Sequence, residues 1–253
     1  MTPRRPLTTA LTTGLTTAVL AAALSACGSA EGADRAVREV PSSSTAVAGA
    51  SADPTLEPAT ARGLAAAVIA HLGDTRVLEA SGGLTDMEDT RGLGVDLRLD
   101  LGGGHNWLAV QAADPAYLPG DRGEVSCADY ADAGADEAGT TVRCIVLEDG
   151  TTVLVLTSEH GFSDDNADGS VAMALVSGPG RELQLTYESY DADGAIAPEV
   201  VADIAADPLV GWATSPATNT AGQRLTGFRE TDRIDRDGAE GYDESTPDVA
   251  PAP

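Results

Sequence analysis

The chain has 253 residues, with forty acids against fifteen arginines and no lysine, for a formal net charge of −25. Without lysine there is no P-loop lysine, no Schiff-base lysine and no Ser-Lys dyad. So large an acid excess repels nucleic acid and anionic lipid headgroups; it suits solubility outside the cell, with cations or basic partners as the alternatives.

The first element reads as an export signal. MTPRRPL sets Arg4 and Arg5 ahead of an apolar stretch from Leu7 to Ala26, broken by three Thr-Thr pairs, and no acid precedes Glu31. The stretch ends in Leu24, Ser25, Ala26 and Cys27. That ending resembles the lipobox of bacterial lipoproteins, a Leu followed by two small residues and the acceptor Cys. The resemblance implies that residues 1–26 are a signal peptide cut off before Cys27. It also implies that the Cys27 thiol carries a diacylglyceryl group, which anchors the chain to the cell membrane, facing outside the cytoplasm. The Thr pairs and Gly14 dilute the run, and it ends without flanking cations, so a spanning helix fits it less well. Pro3 and Pro6 around the two arginines leave general secretory and twin-arginine export both open. Loss of the signal would leave thirteen arginines against forty acids, a net charge near −27.

Residues 27–58 are Ala, Ser, Gly, Pro and acid without an apolar period, the composition of a disordered tether. Residues 59–228 are then one domain's worth of chain, and residues 229–253, charged and then Pro-rich, read as an acidic disordered tail. TARGLAAAVIAHLG spaces Leu64, Val68, Ile69 and Leu72 for a helix that stops at Gly73. LGVDLRLDL alternates Leu93, Val95, Leu97, Leu99 and Leu101 against Asp96, Arg98 and Asp100, a half-buried strand that GGGHN turns back into WLAVQAA. VRCIVLEDGTTVLVLTS predicts a hairpin around Asp149-Gly150, and VAMALVSGPGRELQLTYESY predicts another in which Leu183, Leu185 and Tyr187 keep the period of two. A last helix begins at Pro198, presents Val200, Val201 and Ile204, and ends before Pro208. Strands joined by short turns pair antiparallel. The expected fold is therefore α+β: an antiparallel sheet of about six or seven strands with an N-terminal and a C-terminal helix packed on one face. From AIAPEVVADIAADPLVGW onward the pattern is also similar to the closing helix of uncharacterised exported lipoproteins from high-GC bacteria, a likeness that implies no activity.

With Cys27 acylated, Cys127 and Cys144 remain as an even pair in a compartment where disulfides persist, bracketing the polar stretch ADYADAGADEAGTTVR. Metal or redox use would call for CxxC spacing and a nearby His, and neither is present. DDNADG places Asp164, Asn166 and Asp168 at positions one, three and five of a calcium loop and Gly169 at six. Position twelve, where a bidentate Glu closes such a shell, is Leu175. SYDADGAIAPEV fails sooner, with Ser189 at position one and Val200 at twelve. Turn chemistry accounts for both, leaving at most a weak Ca²⁺ site and no other cofactor.

His71, His105 and His160 share no ligand spacing, and Ser158, Glu159 and His160 are chain neighbours that alternate in direction, with no GxSxG elbow. Trp107 and Trp212 are the two tryptophans, read either as core residues or as anchors of a contact surface. The favoured reading is a lipid-anchored, non-catalytic module that binds a protein or an envelope polymer. A small extracytoplasmic hydrolase and a calcium-dependent module are the alternatives.

Overall fold

Thr60 starts the first helix. Its extended backbone leaves the hydroxyl free to accept from Gly63 N at 2.9 Å, capping α1 (Ala61–Ile69) after the two-residue strand β1 (Glu57–Pro58). In the computed structural model, the described residues are 55–87, 90–102, 106–118, 127, 139–159, 169–189, 195–231 and 249–251. After α1 come β2 (Arg76–Met87), β3 (Thr90–Asp100), β4 (Asn106–Ala113) and a 3-10 turn at Pro115–Tyr117. Two hairpins follow: β5 (Thr140–Val146) with β6 (Thr152–Ser158), then β7 (Ser170–Gly178) with β8 (Arg181–Ser189). The chain closes with α2 (Pro198–Ala206), β9 (Ala213–Thr214), α3 (Pro216–Gln223), β10 (Leu225–Thr226), β11 (Phe228–Thr231) and β12 (Ala250–Pro251).

Eight strands form one sheet in the order β11-β2-β3-β4-β8-β7-β6-β5. Every pairing in it is antiparallel except that of β11 with β2. The first hairpin turns where it was expected: Gly150 has φ +85°, and Asp149 Oδ1 accepts from Thr151 N at 2.9 Å. That bond is the main reason the Asp149 carboxyl sits below its ordinary pKa.

One row of facing residues, Val95, Val110, Leu185, Ala174 and Val155, crosses five strands and is buried throughout. Against this side α1 sets Leu64 and Val68, and α2 sets Val201 and Ile204, all in one apolar core. Each fully buried Leu, Val or Ile contributes about 1.5–3 kcal/mol over its exposed state. α3 packs on α1 instead of on the sheet. The contact is close: a Cβ on Gly222 would run into the Arg62 carbonyl and lie 2.5 Å from Gly63 N. Buried Asn219 locks it, accepting from Thr60 N at 3.0 Å and donating to Glu57 Oε1 at 2.8 Å and Pro58 O at 3.1 Å.

The α+β class and the antiparallel majority agree with the sequence, but the expected sheet is too small and, among the described residues, the helices are three, not two. β2 escapes because a register shift between Val77 and Glu79 breaks its alternation and Gly82-Gly83 gives it no apolar side chain there. β11 adds in parallel at the far edge, so the boundary drawn at residue 228 falls inside a strand. Val249 bridges to Val77 and β12 pairs with β10, so the segment expected to be a disordered tail contains paired residues. At the other end, Glu57 and Pro58, placed in the tether, pair with Thr214 and Ala213. The disulfide is present: Cys127 joins Cys144 of β5 with Cα atoms 5.5 Å apart. Across a loop of this length such a bridge contributes about 3 kcal/mol.

Candidate functional site

Alternation along β4 decides which way Trp107 points. Asn106, Leu108, Val110 and Ala112 are buried on the helix side, so Trp107, Ala109 and Gln111 project from the opposite face and are half-buried. The register runs this second face across the sheet as Glu79, Arg98, Trp107, Glu188, Val171 and Ser158. At its outer end Arg229 donates to Glu79 Oε1 at 2.7 Å. The neighbouring row is Asp96, Ala109, Thr186, Met173, Leu156 and Val142. Trp107 is thus flanked by Arg98 and Glu188, with further charged residues toward β11, and beyond Glu188 the face turns largely apolar. Leu154, opposite Cys144, is buried on the same face yet lies outside the main core.

Trp212 does not join it. It follows α2, is half-buried against the helix-side core, and its carbonyl accepts from Ala59 N at 2.8 Å. Trp212 thus packs against the core from the helix side, and the two tryptophans lie on opposite sides of the sheet.

On the helix side a second cluster forms where α1 and α2 end. His71 Nε2 is 2.8 Å from Asp207 Oδ2, each side chain about a quarter exposed (24%). Asp207 Oδ1 also accepts from Leu209 N at 2.8 Å, an Asx turn that stops α2 ahead of Pro208. Arg181 reaches the same place from β8 and donates to the carbonyls of Ala205 at 2.9 Å, Asp207 at 2.6 Å and Val210 at 2.9 Å. Of these, the Ala205 carbonyl belongs to the last turn of α2, whose carbonyls lack partners within the helix, and those of Asp207 and Val210 follow it. Burial lowers the Arg181 pKa, opposed by the charges of Asp207 and Asp149.

Burial works against the Asp207 charge, but the bonds from His71 and Leu209 N and the cationic neighbours outweigh it, holding the carboxyl below its ordinary value of 3.8. A depressed folded pKa gives stability that is present above the unfolded value and lost as pH falls through the folded one. Asp207→Asn should therefore cost about 1 kcal/mol at neutral pH, and the penalty should fade below about pH 4. Thermal melts of both proteins at pH 7 and pH 3 measure this; a gap that is as wide in acid contradicts it.

In a third polar cluster, Tyr187 donates to Asn106 Oδ1 at 2.9 Å, both residues buried, and burial raises the tyrosine pKa. Cys27, Asp164, Asn166, Asp168, Asp191, Asp193, His105 and His160 lie outside the described residues. Among the described residues no three His, Cys, Asp or Glu side chains gather to hold a metal. The His71–Asp207 pair was missed because 136 residues separate its members; each was visible only as a helix-end residue.

Comparison with protein-family models, with curated proteins and with solved structures finds no match.

Proposed function

We propose that this chain is a lipid-anchored, extracytoplasmic binding module that holds a protein or envelope polymer against the Trp107 face of its sheet. The observation that supports this is the position of Trp107. Among the described residues the helices all pack on the other face or on one another, and this aromatic ring is set in mid-sheet between Arg98 and Glu188, with apolar side chains farther along the same face. Half-buried aromatics of this kind are where binding energy concentrates. The tether beginning at Cys27 carries the domain outward from the membrane, where the disulfide persists. The hydrolase alternative has a His–Asp pair, but among the described residues His71 is bonded to Asp207 and to no hydroxyl or thiol, so it lacks a nucleophile.

The test is a photo-crosslinking residue at Gln111 and, separately, at Ala221 on α3, expressed in the producing cells. Adducts should form from position 111, and Trp107→Ala should cut their yield about tenfold or more. Adducts from position 221 alone, or a yield indifferent to Trp107, would reject the reading.

A further inference from the structure

A cleft of about 300 Å³ opens between α1 and α3 beside the His71–Asp207 pair. Its walls are Ala66, Ala67 and Ala70 of the first helix and its end, Ala217 and Ala221 of the third, and Leu209. Two polar residues line it, Asp207 and Thr218. The Thr218 hydroxyl is already paired with Ser215 Oγ at 2.8 Å. Asp207 is different. As a carboxylate it only accepts, with about four lone-pair positions. His71 Nε2 takes one on Oδ2 and Leu209 N one on Oδ1, so each oxygen keeps a further place for a donor. The hydrogen bonds of Arg181 run from its NH2 group to the carbonyls of Ala205, Asp207 and Val210, not to the Asp207 carboxylate.

We infer that this cleft is a binding site for a compact apolar molecule carrying an amine, its body against the alanine methyls and its N–H groups on Asp207. Three properties of the site select that class. The volume lies at the lower end of the range of ligand pockets, about 300–1,000 Å³, which suits a single ring or short branched chain. No arginine lines the walls, so an anion finds no partner there. The carboxylate is held ionised, and the chain around it carries a net charge of −25, so a cation is drawn in where an anion is repelled. The site is on the helix side of the sheet, so it stands or falls separately from the Trp107 face.

Three near-isosteric probes isolate the charge: 2-phenylethylamine, 2-phenylethanol and phenylacetate, each titrated into the purified full chain by calorimetry and by amide NMR. The amine should bind at least about tenfold tighter than the alcohol, a ratio typical of a charge-assisted hydrogen bond, with phenylacetate not binding. The shifted amides should be those of residues 66–71, 207, 209 and 217–221. Asp207→Asn should bring the amine down to the affinity of the alcohol and leave the alcohol unchanged. Ala221→Phe, at an exposed position that fills the cleft, should abolish binding of both and keep the fold intact even if Asp207→Asn weakens it. Equal binding of amine and alcohol to the native chain would overturn the inference. So would an amine preference that survives Asp207→Asn, or shifts confined to other residues.

Discussion

Gly222→Ala should lower the melting temperature by about 5–15 °C, the loss of roughly 2–4 kcal/mol in a domain of this size. Two effects oppose each other. In a free helix alanine is better than glycine by about 1 kcal/mol, so α3 alone would gain. In the folded chain the new methyl meets the backbone of Arg62 and Gly63, and backbone cannot rotate aside as a flexible side chain would. The helices must part, and with them go the bonds of Asn219 to Thr60, Glu57 and Pro58. The contact therefore outweighs the propensity. Gly211→Ala is the control: its nearest neighbours would be 3.8 and 4.0 Å away, ordinary contact, and it should be close to neutral. If the Gly222 variant melts as high as the native chain, α3 is not seated on α1.

Cys27→Ala should abolish lipid labelling outright, because acylation needs that thiol. Membrane retention should go with it. Burial of acyl chains contributes about 0.8 kcal/mol per CH₂, and stable anchoring takes more than one chain, which a diacylglyceryl group supplies in a single modification. The acidic domain offers no electrostatic substitute, since anionic headgroups repel it. Metabolic labelling with a fatty acid, followed by fractionation, measures both effects. Undiminished label in the variant would end the lipoprotein reading.

What could be read in advance follows from how local each signal is. The β5–β6 and β7–β8 hairpins and α2 were legible because alternation, a turn pair and Pro198 lie within a few residues of one another. β2 was not, since its bulge and paired glycines erase the period that marks a strand. α3 was hidden for another reason: its buried positions are Asn219 and Gly222, so it presents no apolar stripe, and only Ser215 before Pro216 signals its start. β11 joins a strand some 150 residues earlier, a pairing that its own four residues do not encode. At the sites, the disulfide followed from counting cysteines. The side on which Trp107 stands follows from its phase with Leu108 and Val110, and that phase was in the sequence. The meeting of His71 with Asp207 was not, because it depends on where two helices end in space.

The clasp on Glu57 and Pro58 also determines how the domain would respond to traction. In a chain anchored through Cys27, any pull from the membrane enters at β1, which is held by two residue pairs with β9 and by the amide of Asn219. Those bonds lie in line ahead of α1 and the sheet. A tug would peel them first, lengthening the leash by a few residues while the eight-stranded sheet stays closed, and on slackening the same short zipper could re-form. In a chain so anchored the junction would act as a mechanical fuse, yielding early so that the apolar interior is not the part that tears.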